Sequence, residues 1–442
     1  MPTLSARFSS PSTLRSIRPD LLVEWLRPSA GYLEDRGFRL PEMKSHLTPA
    51  AGMQNGEGRV ASVEREARSV ERAQRNARLG TESVPRIDYD RLADIFMNPT
   101  AGMPLELLES VFLIQEMANP PGMDLLLAGA EAHGIDVGHR EDLSPADVAV
   151  QFWLMNPRLL ENLHNCQEIT RPRSFRYFST DANPVPAFSG PTEKQIAALE
   201  ERLNGFYVAW KRGKGARVFS YPHEHEWWFL VRHGAPCRRE AAMQDGEPTS
   251  VCYRPQKHDV LKYDTVRGEI AINCCCDRER RVLLRAFGTS VFGRCDFFPG
   301  TAKYSLAPLV QGRTCLACAD LFGIERVGLI EVEFFFREEP WKCVRHKAGD
   351  IFELAERGEL EWPRKIEEIT RATFKVKFRR ARRARRLTIV PCNKALYARD
   401  SDSGVLEKFL KARGFVLDCA EDEALTDTKQ FEPLTKCKLE AA

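Results

Sequence analysis

The sequence predicts an α+β multidomain protein, because its hydrophobic pattern changes along the chain. Up to about residue 170, apolar residues recur at helical spacing, and after Gly205 they alternate with a period of two. Near the C-terminus, a basic alternating segment precedes one amphipathic helix. The 442 residues allow two or three domains. A composition of 43% hydrophobic and 29% charged residues excludes a collagen, a coiled-coil rod and a wholly disordered chain.

Residues 1–170 are expected to form an α-helical domain. Leu22, Trp25 and Leu26 follow the i, i+3, i+4 spacing of one helix face. Residues 41–86 interrupt this pattern with alternating Glu and Arg and few large apolar residues, which predicts a charged insertion or linker. The helical domain would serve as a scaffold or as the binding site of a protein partner.

Residues 171–204 are expected to form a linker and a connecting helix, with Thr192 and Gln195 at capping-box spacing. Residues 205–362 predict a central mixed α+β domain with antiparallel strands and with helices that begin near Asp277 and Asp350. The segments that alternate like strands are 217–221, 226–232, 250–254, 258–263, 269–274, 303–306 and 327–336.

Residues 363–417 predict a basic β-hairpin plus helix module, and residues 418–442 an acidic, irregular tail. The hairpin strands are expected at 371–379 and 387–390, and the helix at 401–414. Because neighbouring residues of a strand point to opposite faces, the apolar residues of the first strand can pack on the helix. Its basic residues then form a positive ridge on the other face.

The ridge carries a dense positive charge. Residues 369–399 contain no acid, and residues 364–415 contain 16 basic and five acidic residues. The residues expected to contact phosphates are Lys375, Lys377, Arg379, Arg380, Arg382, Arg383, Arg385 and Arg386.

Such a ridge predicts a polyanionic partner, with DNA or RNA backbone as the leading hypothesis. Phosphates would release condensed counterions on binding, and arginine matches phosphate geometry with two parallel hydrogen bonds. Three alternatives are a solvated hairpin, docking on the acidic tail of the same chain, and binding to an acidic protein or an anionic membrane surface. No helix-turn-helix or zinc-finger spacing is present, so base-specific recognition is not predicted.

One predicted strand ends in Arg232-His233-Gly234. This segment resembles the Arg-His-Gly motif of the histidine phosphatase (phosphoglycerate mutase-like) family. In that family the histidine takes up the phosphoryl group and the arginine helps to bind phosphate, so the resemblance implies a phosphate-handling hydrolase that uses Arg232 and His233. The resemblance covers about five residues. The β-rich pattern that follows differs from the alternating strands and helices of the family.

A second enzymatic alternative is a metal-dependent nuclease. Asp259, Asp264 and Glu269 flank one predicted hairpin, as acids do in restriction-type nucleases. Such a site usually has an acid and a lysine two residues apart, whereas the residue two after Glu269 is Ala271. The chain also lacks a P-loop, a dinucleotide fingerprint and a Gly-x-Ser-x-Gly elbow. We therefore lean toward a protein that is not an enzyme.

Two groups of residues could bind a metal ion. His223 and His225 would share one face of a strand and could ligate zinc or another divalent metal. Cys315 and Cys318 have zinc-knuckle spacing, but no second Cys-x-x-Cys follows them. Histidine-rich turns without metal and buried free cysteines also explain these patterns. No cofactor is therefore predicted, and a structural zinc ion is an alternative.

The cysteine content predicts a reducing compartment. The chain has 13 cysteines, an odd number, and no apolar secretory signal, so we expect a cytoplasmic protein. The Arg- and Ser-rich start is also typical of mitochondrial transit peptides, which is the alternative. No apolar stretch approaches the roughly 18 residues of a transmembrane helix. The leading hypothesis is a non-enzymatic binding or regulatory protein, and a protein–protein interaction scaffold is a further alternative.

Overall fold

The computed structural model describes residues 11–41, 87–138, 143–244, 246–336, 341–362, 368–379, 381–398 and 403–417. The chain divides into two compact units, residues 1–164 and 165–442. The predicted insertion, apart from residue 41, and the predicted acidic tail lie outside the described residues.

The first unit is helical, as its hydrophobic periodicity predicts. Asp88 accepts a hydrogen bond from the backbone N–H of Arg91 at 3.0 Å, and Ser144 and Asp147 form a capping box. These caps satisfy backbone donors at the starts of their helices. The helices are α1 (Pro11–Leu14), α2 (Pro19–Leu26), α3 (Ala30–Asp35), α4 (Tyr89–Met97), α5 (Leu105–Met117), α6 (Pro120–His133), α7 (Pro145–Met155) and α8 (Pro157–Thr170), which crosses the division between the units.

The second unit is built on one large antiparallel sheet. The strands are β1 (Ser174–Ser179), β2 (Arg217–His223), β3 (Glu226–Gly234), β4 (Arg238–Gln244), β5 (Glu247–Tyr253), β6 (Gln256–Asp264), β7 (Glu269–Asn273), β8 (Ile324–Phe336), β9 (Lys342–Lys347), β10 (Ile369–Phe378), β11 (Arg385–Val390) and β12 (Lys394–Leu396). Ten of them pair in the order β2-β3-β6-β7-β1-β12-β11-β10-β8-β9, and β4 and β5 form a separate two-stranded ribbon.

Helices and one 3-10 segment cover parts of this sheet. Thr192 and Gln195 form the capping box expected from their spacing, and Asp350 caps the helix that follows it. The helices are α9 (Glu193–Ala209), α10 (Asp277–Phe292), α11 (Ile351–Glu356) and α12 (Ser403–Ala412), and the 3-10 segment is Ala307–Leu316. The predicted α+β multidomain layout is confirmed.

The two faces of the sheet are covered differently. On one face, α9 and α10 pack on β2, β3, β6 and β7, and their core includes Leu203, Phe229 and Phe287. On the opposite face, Phe374 of β10 packs in the same cluster as Phe409 of α12, as the hairpin pattern predicts. The half of the first face that lies beyond β7 carries mainly polar side chains.

Some strand predictions are wrong. Residues 303–306 form no strand, because Tyr304 alone pairs, in isolated bridges with Cys392 and Val416. Strands β1, β4, β9 and β12 were not expected. One sheet contains strands from three predicted segments: the linker, the central domain and the C-terminal module. The domain boundaries between those segments stay predictions. No helix among the described residues is long and apolar enough to cross a lipid bilayer.

Candidate nucleic-acid interface

Six basic side chains lie on the half of the sheet face beyond β7, on the part that four adjacent strands form. We call this surface the basic face. Its residues come from the adjacent strands β1, β12, β11 and β10. They are Arg176, Arg371, Lys375, Lys377, Arg386 and Lys394.

The strand register places these residues on one face, because opposite residues of an antiparallel pair point the same way. Arg176 lies opposite Lys394, and Lys375 lies opposite Arg386. Thr388 of β11 lies opposite residue 396 on β12 and residue 373 on β10, so these three residues point to the same face. Lys394 is two residues from 396, Arg386 two from 388, and Arg371 and Lys375 two from 373. Residues two apart on a strand share a face, so all of them lie on the basic face.

No acid lies on this face of β1, β12, β11 or β10 among the residues that the structure describes. The nearest acids along the sheet are Glu331 and Glu333 of β8. They are bound by Arg345 of β9, whose guanidinium lies 2.6 Å from Glu333 and 3.7 Å from Glu331. The hydrogen bond from Arg345 lowers the pKa of Glu333, and Thr370 and Arg371 add to this effect. The acidic edge is therefore compensated by Arg345 and Arg371. On the basic face, Arg176 lies 3.9 Å from Asp277, whereas Lys375 and Arg386 form no ion pair with a described residue.

The structure separates the eight phosphate contacts that the sequence predicts. Those on the basic face are Lys375, Lys377 and Arg386. Those exposed in the connection between β10 and β11 are Arg379, Arg382 and Arg383. Arg385 lies opposite Val376, on the face covered by α12, and its guanidinium is 5.6 Å from the centre of the Phe378 ring. Arg385 is thus no part of the basic face, and Arg380 lies outside the described residues.

A cleft of about 190 Å³ lies beside the basic face, at the N-terminus of α10. We call it the α10 cleft. Strands β1, β7 and β12 form its floor, and the first turn of α10 forms one side. The residues that line it are Ser174, Arg176, Ile272, Cys274, Cys275, Cys276, Asp277, Arg280 and Lys394.

The α10 cleft has an excess of positive charge. Partial burial lowers the pKa of Lys394, and the charges of Arg176, Arg371 and Arg280 lower it further. Asp277 is the one acid of the lining, and its pKa is lowered by the hydrogen bond and charge of Arg280 and by the charge of Arg176. The buried Nε of Arg280 has no hydrogen-bond partner among the described residues. Arg280 is ion-paired with Asp277, and Arg176 lies 3.9 Å from the same carboxylate. One acid thus serves two arginines beside Lys394, so an anion would stabilise the remaining positive charge.

A buried ion cluster next to the cleft fixes the start of α10. The Glu279 carboxylate is ion-paired with Arg212 and lies 3.6 Å from the Lys257 ammonium. It also accepts the backbone N–H of Cys275 at 3.1 Å. Burial alone would raise the pKa of Glu279, but the hydrogen bond from Arg212 and the charges of Lys257, Arg212 and His233 outweigh it, so the pKa is lowered. The ionised carboxylate therefore holds the backbone that lines the cleft.

His233 and Arg232 do not form a common site. The His233 ring stacks on Tyr207 with centroids 4.2 Å apart, and its Nε2 lies 3.1 Å from Asp259 Oδ2. The side chains of His233 and Asp259 are each 1% exposed. Arg232 points to the other face of β3, where its guanidinium lies 4.9 Å from the centre of the Phe219 ring. The arrangement implied by the phosphatase resemblance is therefore not present.

The three acids of the nuclease alternative are dispersed. Asp259 faces His233, whereas Asp264 lies at the other end of β6 and on the opposite face. Asp264 accepts the backbone N–H groups of residues 266 and 267, at 3.0 and 2.9 Å, and so shapes the turn before β7. Glu269 lies opposite Asp264 and is ion-paired with Lys303. Asp264 and Glu269 are therefore neighbours, but Asp259 lies on the opposite face of the sheet, so the three acids do not surround one metal ion.

The predicted histidine pair is not assembled either. Strand β2 ends at His223, and His225 lies in the turn that follows, so the expectation that both share one strand face is wrong. Ligand atoms of His225, Glu226 and Asp264 do lie within 4.8 Å of one another. However, the Lys262 ammonium donates to Glu226 at 2.7 Å and already compensates that carboxylate.

The predicted zinc-knuckle pair lacks further ligands. Cys315 is buried in the hydrophobic core, and burial raises the pKa of its thiol to about 12. Among the described residues, no His, Cys, Asp or Glu completes a group of three ligands with Cys315 and Cys318. The pair therefore offers two thiols without a third ligand among the residues that the structure describes.

Three residues of the cleft are not singled out by the sequence: Arg176, Arg280 and Lys394. For Arg176 the signal exists, since buried Phe175 and Tyr177 alternate with it, but surrounding turn-forming residues masked the pattern. For Arg280 and Lys394 no local signal exists. Lys394 reaches Arg176 through the pairing of β12 with β1, about 220 residues apart in sequence. Arg280 lies beside them because β1 also pairs with β7, the strand that precedes α10.

The chain matches no protein-family model, and no curated protein matches it. Its function therefore has to be inferred from its own geometry.

Proposed function

We propose that the second unit binds the phosphate backbone of a nucleic acid on the basic face. The observation that carries the proposal is the placement of six basic side chains on four adjacent strands with no acid between them, among the described residues. Such a surface attracts polyanions, because each neutralised phosphate releases a condensed counterion.

The size of the basic face suits a short stretch of nucleic acid. Four adjacent strands are about 14 Å wide, and the segment from Arg371 to Lys377 is about 20 Å long. Successive phosphates of one strand rise about 3.4 Å along a duplex axis, so the face spans about six nucleotides. Exposed Arg382 and Arg383, in the connection between β10 and β11, extend the surface beyond this length.

The binding is expected to be independent of base sequence. The strand backbones of β10 and β11 are paired on both sides, so only side chains can reach a ligand. Lysine and arginine side chains that contact phosphates position a nucleic acid but do not read its bases. An enzymatic function has less support, because the residues of the phosphatase and nuclease alternatives do not converge.

The proposal is tested by fluorescence anisotropy with labelled single-stranded and duplex oligonucleotides. We expect Lys375→Ala/Arg386→Ala to weaken duplex binding about 60-fold at ~0.1 M salt, since each lost contact removes about 0.9 counterion. The matched control is Lys194→Ala/Arg202→Ala, which removes two exposed charges from α9. Equal affinity of the two variants, or no binding by the wild type at low salt, would contradict the proposal.

A further inference from the structure

We propose that the α10 cleft binds a phosphate monoester. On a nucleic acid that follows the basic face, this group is the phosphate at one end of the strand, and that assignment rests on the proposed function. Three properties of the cleft support the proposal: its size, its charge and its unused hydrogen-bond donors.

The cleft is too small for a nucleotide but large enough for a phosphate. Its volume of about 190 Å³ is below the range of about 300–1,000 Å³ that is typical of sites for drug-sized ligands. It corresponds to about six water molecules at about 30 Å³ each. A phosphate with part of its hydration shell fits this space, whereas a base and its ribose would remain outside.

The charge of the lining fits a monoester better than a diester. Arg176, Arg280 and Lys394 contribute three positive charges and Asp277 one negative charge. The resulting net charge of +2 matches the charge of about −1.5 to −2 that a monoester carries at neutral pH. A phosphodiester inside a strand carries only one negative charge. Arg371 adds to the positive field at Lys394.

Donors for the phosphate oxygens are present and not fully used. Arg280 contributes a buried Nε that has no partner among the described residues. The side chain of Cys276, at the N-cap, makes no hydrogen bond to the first turn of α10. The backbone N–H groups of that turn and the cationic side chains can therefore donate to a phosphate.

The position of the cleft explains why the phosphate would be a terminal one. Arg176 and Lys394 belong both to the basic face and to the cleft, so a strand that follows the face reaches the cleft. On the side of the cleft away from the basic face, helix α10 begins and packs over β6 and β7. A strand that enters the cleft cannot continue through the helix, and its end would lie there.

Oligonucleotides that differ only at their ends test this assignment. One short sequence is compared with a 5′-phosphate, with a 3′-phosphate and with hydroxyl groups at both ends. We expect the wild type to bind one phosphorylated form about tenfold more tightly than the hydroxyl form. Arg280→Gln and Lys394→Gln should abolish this preference, whereas Lys347→Gln, on β9, should retain it.

Inorganic phosphate tests the cleft without a nucleic acid. Thermal unfolding in phosphate is compared with unfolding in chloride at equal ionic strength. Phosphate should raise the unfolding temperature of the wild type and of Lys347→Gln but not that of Lys394→Gln.

The outcomes separate the two proposals. Equal affinity for all three oligonucleotides, with no stabilisation by phosphate, overturns the monoester site. Stabilisation by phosphate without a preference for phosphorylated ends supports a monoester site and overturns its assignment to a strand end. If the oligonucleotide with hydroxyl ends does not bind at all, the proposed function fails. Stabilisation by inorganic phosphate then supports the monoester site, and its absence overturns that site.

Discussion

Glu279→Gln is expected to destabilise the second unit, because it removes the central negative charge of the buried ion cluster. The side chain of Glu279 is 1% exposed and that of its partner Arg212 is 11% exposed. Glutamine has nearly the same size and can still accept the backbone N–H of Cys275. It leaves the guanidinium of Arg212 without its carboxylate, however, in a place where water cannot replace it.

The magnitude follows from the burial of the pair. Removing one partner of a buried ion pair costs about 3–5 kcal/mol in the free energy of unfolding. Lys257, 3.6 Å from Glu279, is more exposed and can turn toward water, so we expect the lower value, about 3 kcal/mol. Because the pKa of Glu279 is lowered in the folded protein, this contribution is present at neutral pH and is lost below about pH 4.

Urea unfolding followed by tryptophan fluorescence measures the effect. Trp210 is a suitable reporter, because its ring stacks on Phe206 and lies 3.2 Å from the guanidinium carbon of Arg278 in α10. The matched control is Glu201→Gln, an exposed acid on α9, which should stay within about 0.5 kcal/mol of the wild type. A Glu279→Gln protein as stable as this control at neutral pH would refute the reasoning, as would a difference that grows in acid.

Three further predictions concern the thiols, the core and the sheet. Burial raises the pKa of the Cys274 and Cys315 thiols to about 12, so both should resist alkylation by iodoacetamide at neutral pH. The exposed thiols of Cys275 and Cys276 should react, and peptide mass spectrometry would show the difference. Phe409→Ala should lower the free energy of unfolding by about 3–5 kcal/mol in urea titrations, because the ring is fully buried between α12 and the sheet. Thr388→Val should cost about 1 kcal/mol in the same assay, since it breaks a buried 3.0 Å hydrogen bond to Thr373.

Local features of the fold could be predicted from the sequence, because their causes lie within a few residues. Thr192 with Gln195, and Ser144 with Pro145, mark helix starts by capping chemistry that needs only one turn of chain. The alternation around Phe374 likewise fixed which face of β10 is buried. The order of the strands could not be predicted, because β1 pairs with β7 and β12, which lie far along the chain.

The candidate site was predictable only in part for the same reason. The charge of the hairpin pointed to Lys375, Lys377 and Arg386, which the structure places on one face. Charge counting does not distinguish the two faces of β11, and Arg385 lies on the face that α12 covers. Arg176 joined the surface only through the pairing of β1 with β12.

The most direct test of the account is the salt dependence of nucleic-acid binding. If the six side chains of the basic face each neutralise one phosphate, log K should fall with log salt at a slope of about −5 for a duplex and about −4 for a single strand. Replacing Lys375, Arg386 and Lys394 by glutamine should reduce the slope for a duplex by about three. An unchanged slope in that variant, or a wild-type slope near zero, would contradict the claim that this face binds phosphates.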